Sequence, residues 1–238
     1  MSKPARSSKP VYRRSDEAPA VAIFARAPSP GRAKTRLIPL LGARGAADFQ
    51  AALLADTIRK VSTLTGQLSR YIFISGHDFT ISSALAHYTL KRQRGRDLGE
   101  RLGRALRQLL QRHPAAVVIG TDSPLLPPRI LRQAVSELRL CDAVLGPCPD
   151  GGFYLIGLRR MSPGLFRGVR WGTPHAFRDT LANILRRGFS CSILEPVADI
   201  DGPEDFRRLE SEMASNPAAR RTAPAVWSFI RKHASFDL

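Results

Sequence analysis

Apolar residues recur along this chain in two alternating rhythms. Short runs rich in Val, Ile and Phe lie at Val21–Ala25, Tyr71–Ser75, Ala116–Ile119, Asp142–Pro147, Phe153–Leu158 and Cys191–Leu194. Such runs predict strands, and Ala116–Ile119, apolar at every position, predicts a central one. Between them the apolar period lengthens to that of a helix. Ala47, Ala51, Leu54, Ile58 and Val61 share one face and predict a helix over 43–62. Further helices are predicted over 80–87, 98–112, from Pro127-Pro128 to about Leu138, 174–187 and 203–213. Alternating strands and helices predict one α/β domain over 20–213, a mostly parallel central sheet with helices on both faces. Residues 1–19 mix Ser, Pro, Lys and Arg and predict a disordered basic leader. Residues 214–238 read as a basic tail with a short helix around Trp227 and Ile230.

The strand ends carry the candidate chemistry. Ala116–Ile119 stops at Gly120-Thr121-Asp122-Ser123-Pro124, which places Asp122 just past the carboxyl end of a central strand. Open α/β sheets bind ligands at that edge. The competing reading is that Asp122 or Ser123 caps the next helix; the strand-end position favours a functional Asp122. The loop after the first strand holds Pro28, Pro30 and Gly31, then Arg32, Lys34 and Arg36 within five residues. It is neither GxGxxG nor GxxxxGK[ST], yet a shaped cationic loop there suits phosphate. Asp97 is a good N-cap for the helix from 98, and Gly95 and Gly99 would let a ligand approach the backbone. Asp150-Gly151-Gly152 reads as a hairpin turn, or as room for a ligand beside Asp150. Thr173-Pro174 reads as N-cap and first helical residue. Asp199 to Asp205 forms a second acidic loop, whose Asp201 either caps a helix or joins Asp122 on a divalent cation.

Composition narrows the classes. The formal net charge is +17. The cations are spread along the chain, with no zinc-finger spacing and no aromatic ribonucleoprotein-like strand, which argues against nucleic acid and leaves a phosphate-bearing substrate. There are three cysteines; an odd number without CxxC argues against a disulfide framework and suits a reducing cytoplasm. Cys141 and Cys191 read as core, His77 and His87 as surface residues. No apolar run is long enough to span a membrane, and the N-terminus lacks the apolar stretch of a secretory signal.

Five motifs occur in a recognisable order: Pro30-Gly31-Arg32-Ala33-Lys34-Thr35-Arg36-Leu37, Asp97-Leu98-Gly99-Glu100-Arg101, Gly120-Thr121-Asp122-Ser123-Pro124, Asp150-Gly151-Gly152-Phe153-Tyr154-Leu155-Ile156-Gly157 and Asp199-Ile200-Asp201-Gly202-Pro203-Glu204-Asp205. Together they resemble the bacterial glycosyltransferase-like family labelled arsenosugar-biosynthesis or radical-SAM-associated. Ala33-Lys34-Thr35-Arg36-Leu37 also resembles a stretch of the 2-phospho-L-lactate guanylyltransferases. Both resemblances imply a GT-A-like nucleotide-diphospho-sugar transferase fold. They imply donor contacts from Gly31, Arg32, Lys34, Arg36, Asp97, Gly151 and Gly152, and Mg2+ or Mn2+ on Asp122 and Asp201. Lys34, Asp122 and Asp150 are the implied catalytic set, with Asp150 facing the acceptor. Two departures stand out: Thr-Asp-Ser replaces a strict Asp-x-Asp, and Gly172 and Gly202 stand where many relatives carry Ser and Thr. The implied activity is metal-dependent transfer from a nucleotide or nucleotide-sugar donor to a small-molecule acceptor, most simply glycosyl transfer. The alternatives are nucleotidyl transfer to a phosphorylated small acid and, in another class, a non-catalytic basic protein that binds nucleic acid or a partner.

Overall fold

A computed structural model describes residues 18–76 and 85–233. The leader through residue 17, His77 and most of the helix expected over 80–87 lie outside the described residues. In chain order the elements are β1 (Ala20–Arg26), α1 (Ile38–Ser62), β2 (Ser69–Ser75), β3 (Thr89–Arg92), α2 (Leu98–Leu110), β4 (Ala116–Ile119), α3 (Pro128–Glu137), β5 (Ala143–Pro147), β6 (Phe153–Leu158), α4 (Ala176–Arg186), β7 (Cys191–Ile193), α5 (Pro203–Ser215), α6 (Pro217–Thr222) and α7 (Pro224–His233). A 3-10 turn, Thr35–Leu37, leads into α1, which is broken at Gly42 by non-helical backbone.

One seven-stranded sheet runs β3-β2-β1-β4-β6-β5-β7. β6 is antiparallel to both neighbours, and every other pairing is parallel. The turn through Asp150 is therefore the hairpin that Asp-Gly-Gly suggests, and it turns an otherwise parallel sheet into a mixed one. Central strands are buried on both sides because side chains alternate across the pleat. Val21, Ile23, Val117 and Ile119 enter one core, packed with Leu54 of α1 and Ile130 and Leu131 of α3. Ala20, Ala22, Phe24, Ala116 and Val118 enter the other, with Leu102 and Leu106 of α2 and Ile184 of α4.

Several boundaries differ from expectation, each for a local reason. β3 was not foreseen: Thr89-Leu90-Lys91-Arg92 has no apolar run, because an edge strand is half open to solvent. Ala18 and Pro19, which end the expected leader, are tied to the domain: the Ala18 carbonyl accepts from His113 Nδ1 at 2.9 Å, and that of Pro19 from the Ser69 amide at 3.1 Å. α4 begins at Ala176 rather than Pro174; Thr173 Oγ1 holds the preceding turn instead, accepting from the His175 amide at 3.3 Å. Ser123 caps nothing, and its buried hydroxyl has no hydrogen-bond partner among the described residues.

The expected tail packs as a third layer. Val226, Phe229 and Ile230 of α7 join Phe206, Leu209 and Met213 of α5 against Phe49 and Leu53 of α1. The pattern was short, so the tail read as loose; its partner face lies on α1, remote in sequence. A buried carboxylate on α1 fixes the docking. Asp56 accepts from the amides of Ala225 and Val226 at 3.1 and 2.9 Å and thereby caps α7 from outside it. The rings of Phe229, Phe49 and Phe206 form a triangle, with the Phe229 centroid 5.3 and 6.4 Å from the other two. Phe229→Ala should lower unfolding free energy by about 3–5 kcal/mol in chemical denaturation; a loss under about 1 kcal/mol would mean this layer contributes little to the fold.

Candidate active site

The first cationic loop, the end of β4 and the segment before α5 converge over the carboxyl ends of the parallel strands. Lys34 is the only non-glycine among the described residues with positive φ, at 46°. That left-handed conformation costs about 1–2 kcal/mol for a residue with a Cβ, so the surroundings must hold it in place. They do so through the side chain, which is 7% exposed. Its Nζ lies 2.6 Å from Asp122 Oδ1, donates to the Ile200 carbonyl at 2.6 Å and stands 3.9 Å from Asp201 Oδ1. Arg36 approaches the other oxygen of Asp201 at 3.3 Å. The Ile200 amide donates to the Asp122 carbonyl at 2.8 Å, which ties the two acidic loops together.

The helix-capping alternatives for these acids fail on geometry. α3 has no side-chain cap, so Asp122 is free to face Lys34. At α5 the capping acid is Asp205, which accepts from the Asp201 and Gly202 amides at 3.1 and 2.8 Å. Asp201 therefore turns to Lys34 and Arg36.

A cleft of about 300 Å³ opens here, lined by Arg26, Lys34, Arg36, Gln50, Asp122 and Asp201, among others. A second arm of about 260 Å³ shares Arg26 and Asp122 and runs beside Gln93, Arg101 and Phe153. Asp201 also borders a groove containing Asp150 and Asp199. One ligand atom each from Cys148, Asp150 and Asp199 lie within 4.8 Å of one another. Burial, reinforced by Asp150 and Asp201, pushes Asp199 up to about 6. Burial also raises Asp201, against the pull of Lys34. The Cys148 thiol is raised too, by burial first and then by Asp199 and Asp150. Asp122, Asp150, Asp199 and Asp201 thus gather at this end of the sheet, with Lys34, Arg36 and Arg26 among them. An oxygen-rich donor set of that kind fits a hard divalent cation.

Not every expected contact residue faces the cleft. Asp97 caps α2, accepting from the Glu100 amide at 2.8 Å, and borders a different hollow beside Trp171. A Cβ on Gly99 would come within 2.7 Å of Trp171 Nε1, so that glycine admits an indole rather than a ligand. The space beside Gly151 is likewise filled, a Cβ there meeting the Pro174 carbonyl oxygen at 2.1 Å. Gly152 donates to Asp150 Oδ1 at 2.8 Å and shapes the hairpin. Gly31 and Arg32 are exposed; the Arg32 carbonyl accepts from Arg26 at 2.9 Å.

Residues not singled out beforehand complete the site. Gln50, buried in α1, donates to the Arg26 carbonyl and to Thr121 Oγ1, both at 3.3 Å. A polar residue on the apolar face of the 43–62 pattern was the available signal. Asp199 could have been read from its place in the same acidic loop. Arg26 and Cys148 carried no signal.

The structure resembles known proteins over most of its length. A protein from Desulfovibrio desulfuricans G20, provisionally named a nucleotide-diphospho-sugar transferase, is 27% identical; the match covers 92% of this chain and 99% of that one, with a TM-score of 0.79. The fold is that of the nucleotide-diphospho-sugar transferases. A cytidylyltransferase from Leptospira borgpetersenii, 15% identical, matches 92% of this chain and 96% of its own with a TM-score of 0.55. A CMP:2-keto-3-deoxy-manno-octonic acid synthetase solved with CTP is 11% identical over 84% of this chain and 99% of its own, TM-score 0.51. Residues 57–173 match the family described as "Uncharacterized protein conserved in bacteria (DUF2064)". That stretch includes Asp122 and Asp150 but neither Lys34 nor Asp201. No curated protein matches the sequence. Among the described residues no helix is long and apolar enough to cross a membrane.

The loop after β4 is anchored from below by Lys60, whose buried Nζ donates to the Pro124 carbonyl. Burial lowers its pKa from 10.5 to about 8, although Asp56 pulls the other way. The unfolded chain then binds the extra proton between those values, so this group makes stability rise with pH across that window. From pH 7 to 10 the wild type should gain about 1–3 kcal/mol relative to Lys60→Met in chemical denaturation. Parallel pH profiles for the two proteins would show instead that Lys60 stays protonated in both states.

Proposed function

We propose that this chain is a divalent-cation-dependent transferase acting on a nucleotide-activated donor, and that the donor is a nucleotide sugar. The observation that carries the reading is the convergence of Lys34, Asp122 and Asp201 at the carboxyl edge of the sheet, in the fold of nucleotide-diphospho-sugar transferases. The sugar donor rests on the resemblance of the ordered motifs and on the name of the Desulfovibrio protein.

Departure of a nucleotide diphosphate builds negative charge on phosphate oxygens. Lys34 and Arg36, with Arg26 beside them in the cleft, supply cations where that charge develops. Asp122 and Asp201 are the residues that would hold Mg2+ or Mn2+. When bound, such an ion neutralises phosphate charge as a Lewis acid. Asp150 and Asp199, across Asp201 from the donor cleft, border the side from which an acceptor would come. Gln50 and Thr121 hold the Arg26 backbone and the β4 end at fixed spacing, so the phosphate-binding groups are preorganised.

A second reading keeps the same parts: an NTP is attacked at its α-phosphate and releases pyrophosphate. The Ala-Lys-Thr-Arg-Leu stretch favours it, through its likeness to guanylyltransferases.

Asp122→Asn separates a cation ligand from a structural partner of Lys34. With Mn2+ present, UDP- or GDP-sugars should raise the melting temperature of the wild type by mass action. In Asp122→Asn that ligand-induced rise should vanish and turnover fall by about 10²-fold or more. The uncharged partner for Lys34 should cost only about 1–2 kcal/mol of stability, because Asp122 is half exposed. A full Mn2+-dependent response in Asp122→Asn would refute the assignment. A response to NTPs alone, with pyrophosphate released, would select the second reading.

A further inference from the structure

Some arginines among the described residues are neutralised by carboxylates close by. Arg160 pairs with Asp142, Arg170 with Asp179, Arg129 with Glu195, Arg208 with Asp205 and Arg44 with Asp48. One concave region gathers cations without such compensation. Between the edge strand β3 and helix α2 lies a groove of about 460 Å³ whose lining, among the described residues, includes Lys91, Arg92, Arg94, Arg101 and Arg104 and no acidic residue. Only Arg104 has a carboxylate, that of Glu100 at 3.3 Å. Arg92 and Arg101 donate to the main-chain carbonyls of Gly76 and Gly95. Lys91 and Arg94 form no ion pair with any other described residue.

Charges on an edge strand often serve only to prevent edge-to-edge association. Here the cations come from two elements. Lys91 stands opposite Phe73 in the β2–β3 register, on the face covered by α2, and Arg101 and Arg104 line the same hollow from the helix. Five like charges around one cavity repel one another unless an anion joins them. Guanidinium groups match phosphate with paired N–H donors.

We propose that this groove is a binding site for a phosphorylated small molecule, separate from the Lys34–Asp122 cleft. Its volume suits a small ligand rather than a nucleic-acid track. Arg101 also lines the arm of the cleft that reaches Asp122, so the bound phosphate sits beside the donor site without sharing Lys34, Arg36 or Asp201. The inference does not depend on the transferase reading.

The test uses the full chain and glycerol 3-phosphate as probe, titrated calorimetrically against the wild type, Lys91→Gln/Arg94→Gln, Lys91→Glu/Arg94→Glu and Lys34→Met. The double glutamine change tolerates any folding defect of the double glutamate, and circular dichroism checks each variant. Affinity should fall by about 10-fold or more in both double variants, weaken with added salt and survive in Lys34→Met. Nucleotide-sugar responses with Mn2+ should persist in Lys91→Gln/Arg94→Gln. Loss of those responses in the wild type, with phosphate binding still dependent on Lys91 and Arg94, would overturn the transferase reading and leave this site intact. Unchanged phosphate affinity in folded double variants would overturn the proposal. So would binding of duplex DNA through these residues that glycerol 3-phosphate fails to displace.

Discussion

One buried ammonium group organises the working edge of this protein. Lys34 reaches from the loop after β1 to the carboxylate that ends β4 and to the carbonyl and carboxylate that precede α5. Three segments far apart in sequence are thereby held around one charge. The strained left-handed backbone at Lys34 makes sense in that light, because a right-handed residue would aim the side chain elsewhere. The Lys34 bonds to Asp122 and to the Ile200 carbonyl are short and the ammonium itself is nearly buried, although both carboxylates are half exposed. Burial, with Asp150 and Asp201 close by, raises Asp199 beside this cluster.

The scaffold beneath is layered to keep this edge in place. The central strands are sealed on both faces, leaving only their carboxyl ends accessible. α1 has a double duty. Its inner face packs on the sheet, while its outer face receives α5 and α7. Three of the polar residues buried along α1 act at junctions: Gln50 at the cleft, Asp56 at the start of α7 and Lys60 under Pro124. Each buried polar group is matched to a backbone or hydroxyl partner, as its desolvation requires. The site and the C-terminal layer are thus braced by one helix.

Charge is distributed with the same economy. Behind the formal +17, two concavities gather cations from more than one element, the Lys34 cleft and the β3–α2 groove. The phosphate chemistry proposed for the cleft and for the β3–α2 groove follows from that arrangement rather than from the total. Bulk charge raises the suspicion of polyanion binding, but only placement shows which surfaces could act on it.

Much of this was legible in the chain itself. Alternating apolar runs and helical periods specify an α/β sheet, because each strand and helix must bury its own apolar positions locally. The five ordered motifs place Lys34, Asp122 and Asp201 at strand ends, and those three do meet. What the chain could not show was how short polar signals pair across long separations. Thr89-Leu90-Lys91-Arg92 becomes a strand only because β2 offers an open edge. The expected tail becomes core only because Asp56 and Phe49 of α1 await it. Asp97, Gly99, Gly151 and Gly152 looked equally suited to a ligand, yet Trp171 and Pro174 fill the space beside two of them and the hairpin and helix cap use the rest. Local pattern determines which elements form, since hydrogen bonding and burial act within a few residues. Tertiary packing alone decides which cavities stay open and which charges remain unpaired, since both depend on neighbours brought together from across the chain.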